Sequence, residues 1–273
     1  SMMTGDDDTL SDAYYNELYS LLDGNAEWLK LREYPLALMT AVNRIALKGI
    51  DRVDTSAFLV SQLQIIDKNI KDRAVASKVA ASLIVRYMND RGIDDIQDYQ
   101  SLLTSLVVCE DDIKAVNEEK SSWEKIAKGA VAPDFAGLTP VSGNEFTWER
   151  YKGKYVYILC WLAGSETSFQ EAKTMQTLIK KYATSEKDAK QPVEFITIAG
   201  DGSAQHWRKI VESRKYLGEN SVALDNRVFL DAMNVQLYPR AILVGPDGKI
   251  VKAIAPLPSN PKIVELLDSQ LGL

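Results

Sequence analysis

A helical bundle followed by a mixed α/β domain is the architecture this sequence predicts, and a change of texture near Gly129 carries the prediction. Ahead of that point, from Asp12 to about Lys125, apolar residues recur at helical spacing and strand alternation is hard to find. Beyond it, short apolar runs alternate with amphipathic segments, and the last two runs are joined by the turn Pro246-Asp247-Gly248-Lys249. At 273 residues the chain is long enough for two compact domains. The expected division gives a helical bundle over residues 10–127 and an α/β domain over residues 128–273.

Five or six helices are expected in the first part. "PLALMTAVNRIALKG" opens on Pro35 and closes on Gly49, "DTSAFLVSQLQIIDKNI" offers Asp54 and Thr55 as caps, and "KDRAVASKVAASLIVRYMNDRG" stops before Gly92. Tyr14, Tyr15, Tyr19, Trp28 and Tyr34 concentrate near the start of the bundle. Core packing is their expected role, with a ligand-facing surface as the alternative. In the second part the expected order begins with hairpin material from Phe135 to Trp148, a strand Tyr155 to Trp161 and a helix Ser168 to Tyr182. A strand Val193 to Ala199, a helix Ala204 to Tyr216, the terminal hairpin and a helix Asn260 to Leu271 follow. Strands alternating with helices and then a hairpin imply a mixed sheet covered on both faces.

Composition excludes several classes of function. A formal net charge of −6 and no dense Lys/Arg stripe give no attraction to phosphate backbones, so no nucleic-acid partner is expected. The longest apolar run, Tyr155 to Gly164, is about half of what a membrane-spanning helix requires. Ser1-Met2-Met3 looks like a cloning remnant ahead of the acidic "TGDDDT", which lacks the basic and apolar regions of a signal peptide. With one histidine, His206, and two cysteines, Cys109 and Cys160, neither a metal site nor a disulfide framework is expected, and no cofactor is implied. Both cysteines are expected as unpaired core residues.

Four features of the second part agree in order and spacing: "APDF" at 132–135, "YKGKYVYILCW" at 151–161, Tyr238-Pro239 before a strand, and "LVGPDGKIV" at 243–251. On these residues the chain from 128 to 273 resembles the thioredoxin-like proteins of the TlpA/ResA type, found in bacterial envelopes. Trp207 falls where these proteins often place a tryptophan. The resemblance implies a thioredoxin-like fold, an envelope location, either periplasmic or lipid-anchored after export, and a cis-proline at Pro239 beside a groove for extended peptides.

The family's reaction centre is missing. Where its members carry roughly Trp-Ala-x-Trp-Cys-x-x-Cys-Arg, this chain reads Trp161-Leu-Ala-Gly-Ser165-Glu166-Thr167-Ser168-Phe169. Exchange needs a thiolate that attacks and a second thiol that resolves the mixed disulfide, and a serine hydroxyl provides neither. The two serines are expected to cap a helix instead. Ser168-Phe-Gln-Glu171 fits a capping box, and Ser165 could cap an extra turn. No catalytic residue is assigned, because the sole histidine, His206, begins another helix. The candidate groove comprises Trp161, Tyr238 and Pro239, where the Tyr238 ring either stacks on a ligand or fills the space left by the lost motif. The expected function is a redox-inactive module that binds a protein or peptide. The alternatives are an enzyme with a non-thiol site and one acting through an unrecognised cysteine. Cys109 is the only candidate thiol outside the strand, disfavoured by the three acids that follow it.

Overall fold

The computed structural model describes residues 11–48, 55–141, 146–183, 192–201, 204–222 and 227–273. Gly49 and Asp54, the expected stop and cap between the second and third helices, lie outside them, as does the side chain of His206. The chain divides into two compact units between Ser122 and Trp123.

The first unit carries α1 (Asp12–Leu21), α2 (Glu33–Leu47), α3 (Ser56–Asn69), α4 (Arg73–Arg91), α5 (Gln100–Leu106) and the start of α6 (Glu110–Glu124), which crosses the division. Leu38 and Val42 of α2, Leu59, Leu63 and Ile66 of α3, and Val75, Val79, Ile84 and Met88 of α4 are buried at helical spacing and form the core. Asp72 ties two elements: its carboxylate accepts from the N–H groups of Ala74 and Val75 at the start of α4 and, at 3.2 Å, from Ala26 in the α1–α2 connection. Asp112, 4% exposed, anchors α6 on α4 by accepting from Ser77 Oγ at 2.8 Å, while that hydroxyl accepts from the N–H groups of Val108 and Cys109.

The early aromatic residues divide. Tyr15 is buried, whereas Tyr19 and Trp28 are exposed and Trp28 meets Tyr34 edge-on at 5.4 Å. Core packing therefore holds for Tyr15 and fails for Tyr19 and Trp28. Trp28 sits on a short 3₁₀ turn, Ala26–Lys30, none of whose residues is buried.

In the second unit the elements are β1 (Thr139–Pro140), β2 (Tyr155–Trp161), α7 (Glu166–Tyr182), β3 (Val193–Ala199), α8 (Ala204–Arg214), β4 (Glu219–Val222), α9 (Val228–Ala232), β5 (Arg240–Val244), β6 (Ile250–Ala255) and α10 (Lys262–Leu271). The sheet order is β1-β4-β3-β2-β5-β6. β2, β3 and β4 run parallel, while β5 is antiparallel to β2, β6 to β5 and β1 to β4. Tyr157, Leu159 and Trp161 of β2 pack with α7, Trp207 and Val211 of α8, and Ile263 and Leu267 of α10 in one core. The intervening Val156, Ile158 and Cys160 are equally buried on the opposite face. This is the mixed sheet, covered on both faces, that the alternation of strands and helices implied.

Two expectations need correction. Among the described residues Phe135 to Trp148 form no hairpin: the only strand is the pair Thr139–Pro140, which joins the edge of β4. Phe135 serves instead as the hub of an aromatic cluster with Phe146, Trp148, Tyr151 and Phe229. The strand β4 and the helix α9 were not anticipated. At four and five residues they are too short to show a period.

Asp72→Ala should destabilise the helical unit by about 1–2 kcal/mol, the ordinary cost of losing an N-cap, with Asp72→Asn costing less because it keeps an acceptor. Urea unfolding followed by helical circular dichroism measures both. Equal losses would mean that charge, not the acceptor, is what matters.

Candidate functional site

Three chain segments converge at one end of the sheet because of the pairing of β2. At its C-terminal end Cys160 is in register with Arg240, the first residue of β5, and Trp161 with Ala199, the last of β3. The loop 162–165, the turn after β3 and the Tyr238-Pro239 segment are thereby neighbours. Tyr238-Pro239 is a cis peptide bond, as the resemblance implied.

The loop leading into α7 is held from β3. The Asp201 carboxylate accepts from the N–H groups of Ala163 at 2.5 Å and Gly164 at 2.9 Å, and Gly200 N–H donates to Trp161 O at 2.9 Å. Sequence reasoning missed Asp201; an aspartate just beyond a strand at a Gly-Asp-Gly turn was the available signal.

Ser165 has extended backbone angles and its Oγ accepts from Ser168 N–H at 3.4 Å, making it the N-cap of α7. The capping box expected from Ser168 and Glu171 does not form. Ser168 lies inside the first turn, fully buried, and its Oγ finds no hydrogen-bond partner. The Glu171 carboxylate turns away to accept from Ser259 N–H at 2.9 Å and Ser259 Oγ at 2.5 Å, joining α7 to the approach to α10. The helix begins a turn early because Ser165 can cap it, which moves Ser168 from the cap to the buried stripe that continues with Ala172 and Met175. Glu166 and Thr167 are exposed, and Glu166 accepts from Gln170 Nε2 at 2.6 Å.

Of the groove residues, Trp161 is misplaced by the sequence: it is fully buried, so it lines no surface. Tyr238 and Pro239 are half-buried. The Tyr238 ring lies so close to Gly200 that a Cβ there would be 2.7 Å from its Oη, and that oxygen accepts from the Arg227 guanidinium at 3.1 Å. Burial pushes the Tyr238 phenol up, against the opposing pull of Arg227. Beside Ser165 a hollow of about 300 Å³ is walled by Phe169 and Ile210, with the Arg214 guanidinium 4.2 Å over the Phe169 ring. The arrangement offers apolar contact, a cation and a capped helix end, which are means of binding.

It offers no thiol. Cys160 is fully buried in β2, and burial pushes its thiol up to about 12, the nearby Arg240 and Arg227 offsetting only part of this. Cys109 is a half-buried free cysteine of the helical unit. Among the described residues no group of three His, Cys, Asp or Glu could hold a metal ion, and no helix is long and apolar enough to cross a membrane.

No family model matches the chain. It is similar to the thiol-disulfide oxidoreductase ResA of Bacillus subtilis (strain 168), with 29% identity over 132 residues, 48% of this chain and 69% of that protein. Among solved structures it is similar to two described as putative thiol-disulfide oxidoreductases from Bacteroides vulgatus. One is 28% identical with a TM-score of 0.47, covering 53% of this chain and 97% of the other; the second is 27% identical with a TM-score of 0.44, covering 52% and 91%.

Two measurements test the site. Ser165→Ala should cost about 0.5–2 kcal/mol as a lost N-cap, whereas Ser168→Ala should be neutral or stabilising because it removes a buried hydroxyl without a partner. Equal losses on chemical unfolding would refute this division of roles. Iodoacetamide at neutral pH should leave Cys160 unmodified until the chain unfolds, as peptide mass mapping would show. Because the folded thiol keeps its proton up to about pH 12 while an unfolded one releases it near the ordinary value of about 8.5, Cys160 should subtract stability as pH rises through that interval. Cys160→Ala should flatten this part of the profile.

Proposed function

We propose, from the thioredoxin-like fold of the TlpA/ResA type that the second unit adopts, that this chain is a redox-inactive envelope protein that binds another protein or an extended peptide. The observation that carries the proposal is the chemistry of the first turn of α7. Of Ser165 and Ser168, which the family resemblance sets against the attacking and resolving sulfurs, one is spent on a backbone cap and the other is closed off in the core. Neither hydroxyl can form or resolve a mixed disulfide. Cys160 offers no substitute at this end of the sheet, since it is inaccessible and protonated.

What supports binding is the part of the scaffold that persists. The cis Tyr238-Pro239 bond, the clasp of Asp201 on Ala163 and Gly164, and the hollow beside Ser165 are all built at one end of the sheet. Polar main chain next to an apolar wall suits an extended segment pairing along its backbone, with one side chain set against Phe169 and Ile210. For Tyr238, the hydrogen bond from Arg227 and the packing on Gly200 favour a ring that fills the space left by the lost motif over one that stacks on a ligand. The envelope location rests on the family resemblance.

The parent protein should show no insulin-disulfide reduction above the uncatalysed rate, and capture of extracted envelope proteins should survive both reducing and thiol-blocking conditions. Tyr238→Ala should lower the melting temperature, since a half-buried ring and its hydrogen bond are lost. Reductase turnover comparable to a thioredoxin would defeat the redox-inactive proposal, and capture abolished by thiol blocking would defeat the binding mode.

A further inference from the structure

A second hollow, of about 440 Å³, lies in the helical unit between α2, α3 and α4, within the size range of ligand sites. Its apolar lining includes Met39 of α2, Phe58 of α3 and Leu83 of α4. Polar groups converge on the same space. Gln62 of α3 is only 6% exposed; its Nε2 donates to Asn43 Oδ1 of α2 at 3.0 Å, and its carbonyl oxygen accepts nothing from the described residues. That oxygen is not closed off from solvent, so it stands available to a donor that enters the hollow. Arg86 and Asp90 follow on one face of α4, a turn apart, and neither side chain pairs with any described residue. Opposite charges in this order four apart on an exposed helix face attract each other only weakly, which leaves both free to meet a ligand at the same hollow.

We propose that this hollow binds a small zwitterion with an apolar side chain, namely a free apolar amino acid or a short apolar peptide. The carboxylate meets the Arg86 guanidinium, which takes such groups through a planar fork. The ammonium meets Asp90, an N–H donates to Gln62 Oε1, and the side chain covers Met39, Phe58 and Leu83. One cation and one anion at the hollow favour a ligand carrying both charges over either a simple acid or a simple amine. The site belongs to the helical unit and does not depend on the binding function assigned to the sheet end of the second unit.

Calorimetric titration of the full chain tests this with L-Leu-L-Leu, its N-acetyl form, its C-terminal amide and free L-leucine. One of the two zwitterions should bind, and whichever binds more tightly identifies the source as peptide or amino acid. Blocking either end of the dipeptide should weaken binding about tenfold, equivalent to about 1.4 kcal/mol. Arg86→Gln should make acid and amide bind alike, and Asp90→Asn should do the same for free and acetylated amine. Both positions are exposed, so neither substitution threatens the fold. Thr40→Trp, also at an exposed lining position, should weaken binding of both zwitterions by filling the hollow. The proposal is overturned if neither zwitterion binds up to about 1 mM, if a dipeptide that binds is matched by its blocked forms, or if the two charge variants bind the tighter zwitterion as the parent does.

Discussion

Burial of β2 on both faces and pairing along both edges is the constraint from which the second unit is built. Every residue from Val156 to Trp161 is buried, with β3 parallel on one side and β5 antiparallel on the other. A strand in that position has no freedom of register, because a one-residue slip would exchange the Tyr157-Leu159-Trp161 face for the Val156-Ile158-Cys160 face. Fixed register aligns Cys160 with Arg240 and Trp161 with Ala199, so three loops meet at one end. The site is a consequence of strand pairing before it is a matter of particular side chains.

Buried polar groups then decide how that end is closed. Asp201 supplies the acceptors that the backbone of Ala163 and Gly164 needs, and Glu171 does the same for Ser259. Arg240, 5% exposed, donates to Ala253 O at 2.9 Å and Asn234 O at 3.2 Å and lies 4.9 Å over the Trp123 ring; burial brings its guanidinium down to about 10. Other buried atoms of this unit have no partner: Tyr151 Oη, Trp161 Nε1, Ser168 Oγ, Trp207 Nε1, Tyr216 Oη and Nη2 of Arg240 itself. Each such group costs about 1–3 kcal/mol.

With serine at 165 and 168 the first turn of α7 is regular and capped. Serine fits the cap position at 165 better than cysteine would, since its oxygen is the stronger acceptor for a helix N–H. At 168 the hydroxyl gains nothing, and its burial follows from helix periodicity alone. Binding makes no demand on either residue beyond shape, and fold by itself does not assign a function.

The sequence by itself determined the bundle, β2 and β3 to the residue, and the terminal hairpin, because continuous apolar runs and the Pro-Asp-Gly turn are local signals. It also determined the absence of a dithiol, which needs only the identity of Ser165 and Ser168. Tertiary structure decided that Trp161 belongs to the core and not to a groove, since the two faces of a doubly buried strand look alike in sequence. It decided the start of α7 as well, where two serines three residues apart could each have been the cap and Glu171 found its partner 88 positions away in Ser259. Asp201, Arg227 and Gln62 became visible only in the fold. Their partners lie 19 to 38 positions away or, for Arg227, across a turn onto Tyr238, and no local pattern records which acceptor or donor a folded chain will bring to a side chain.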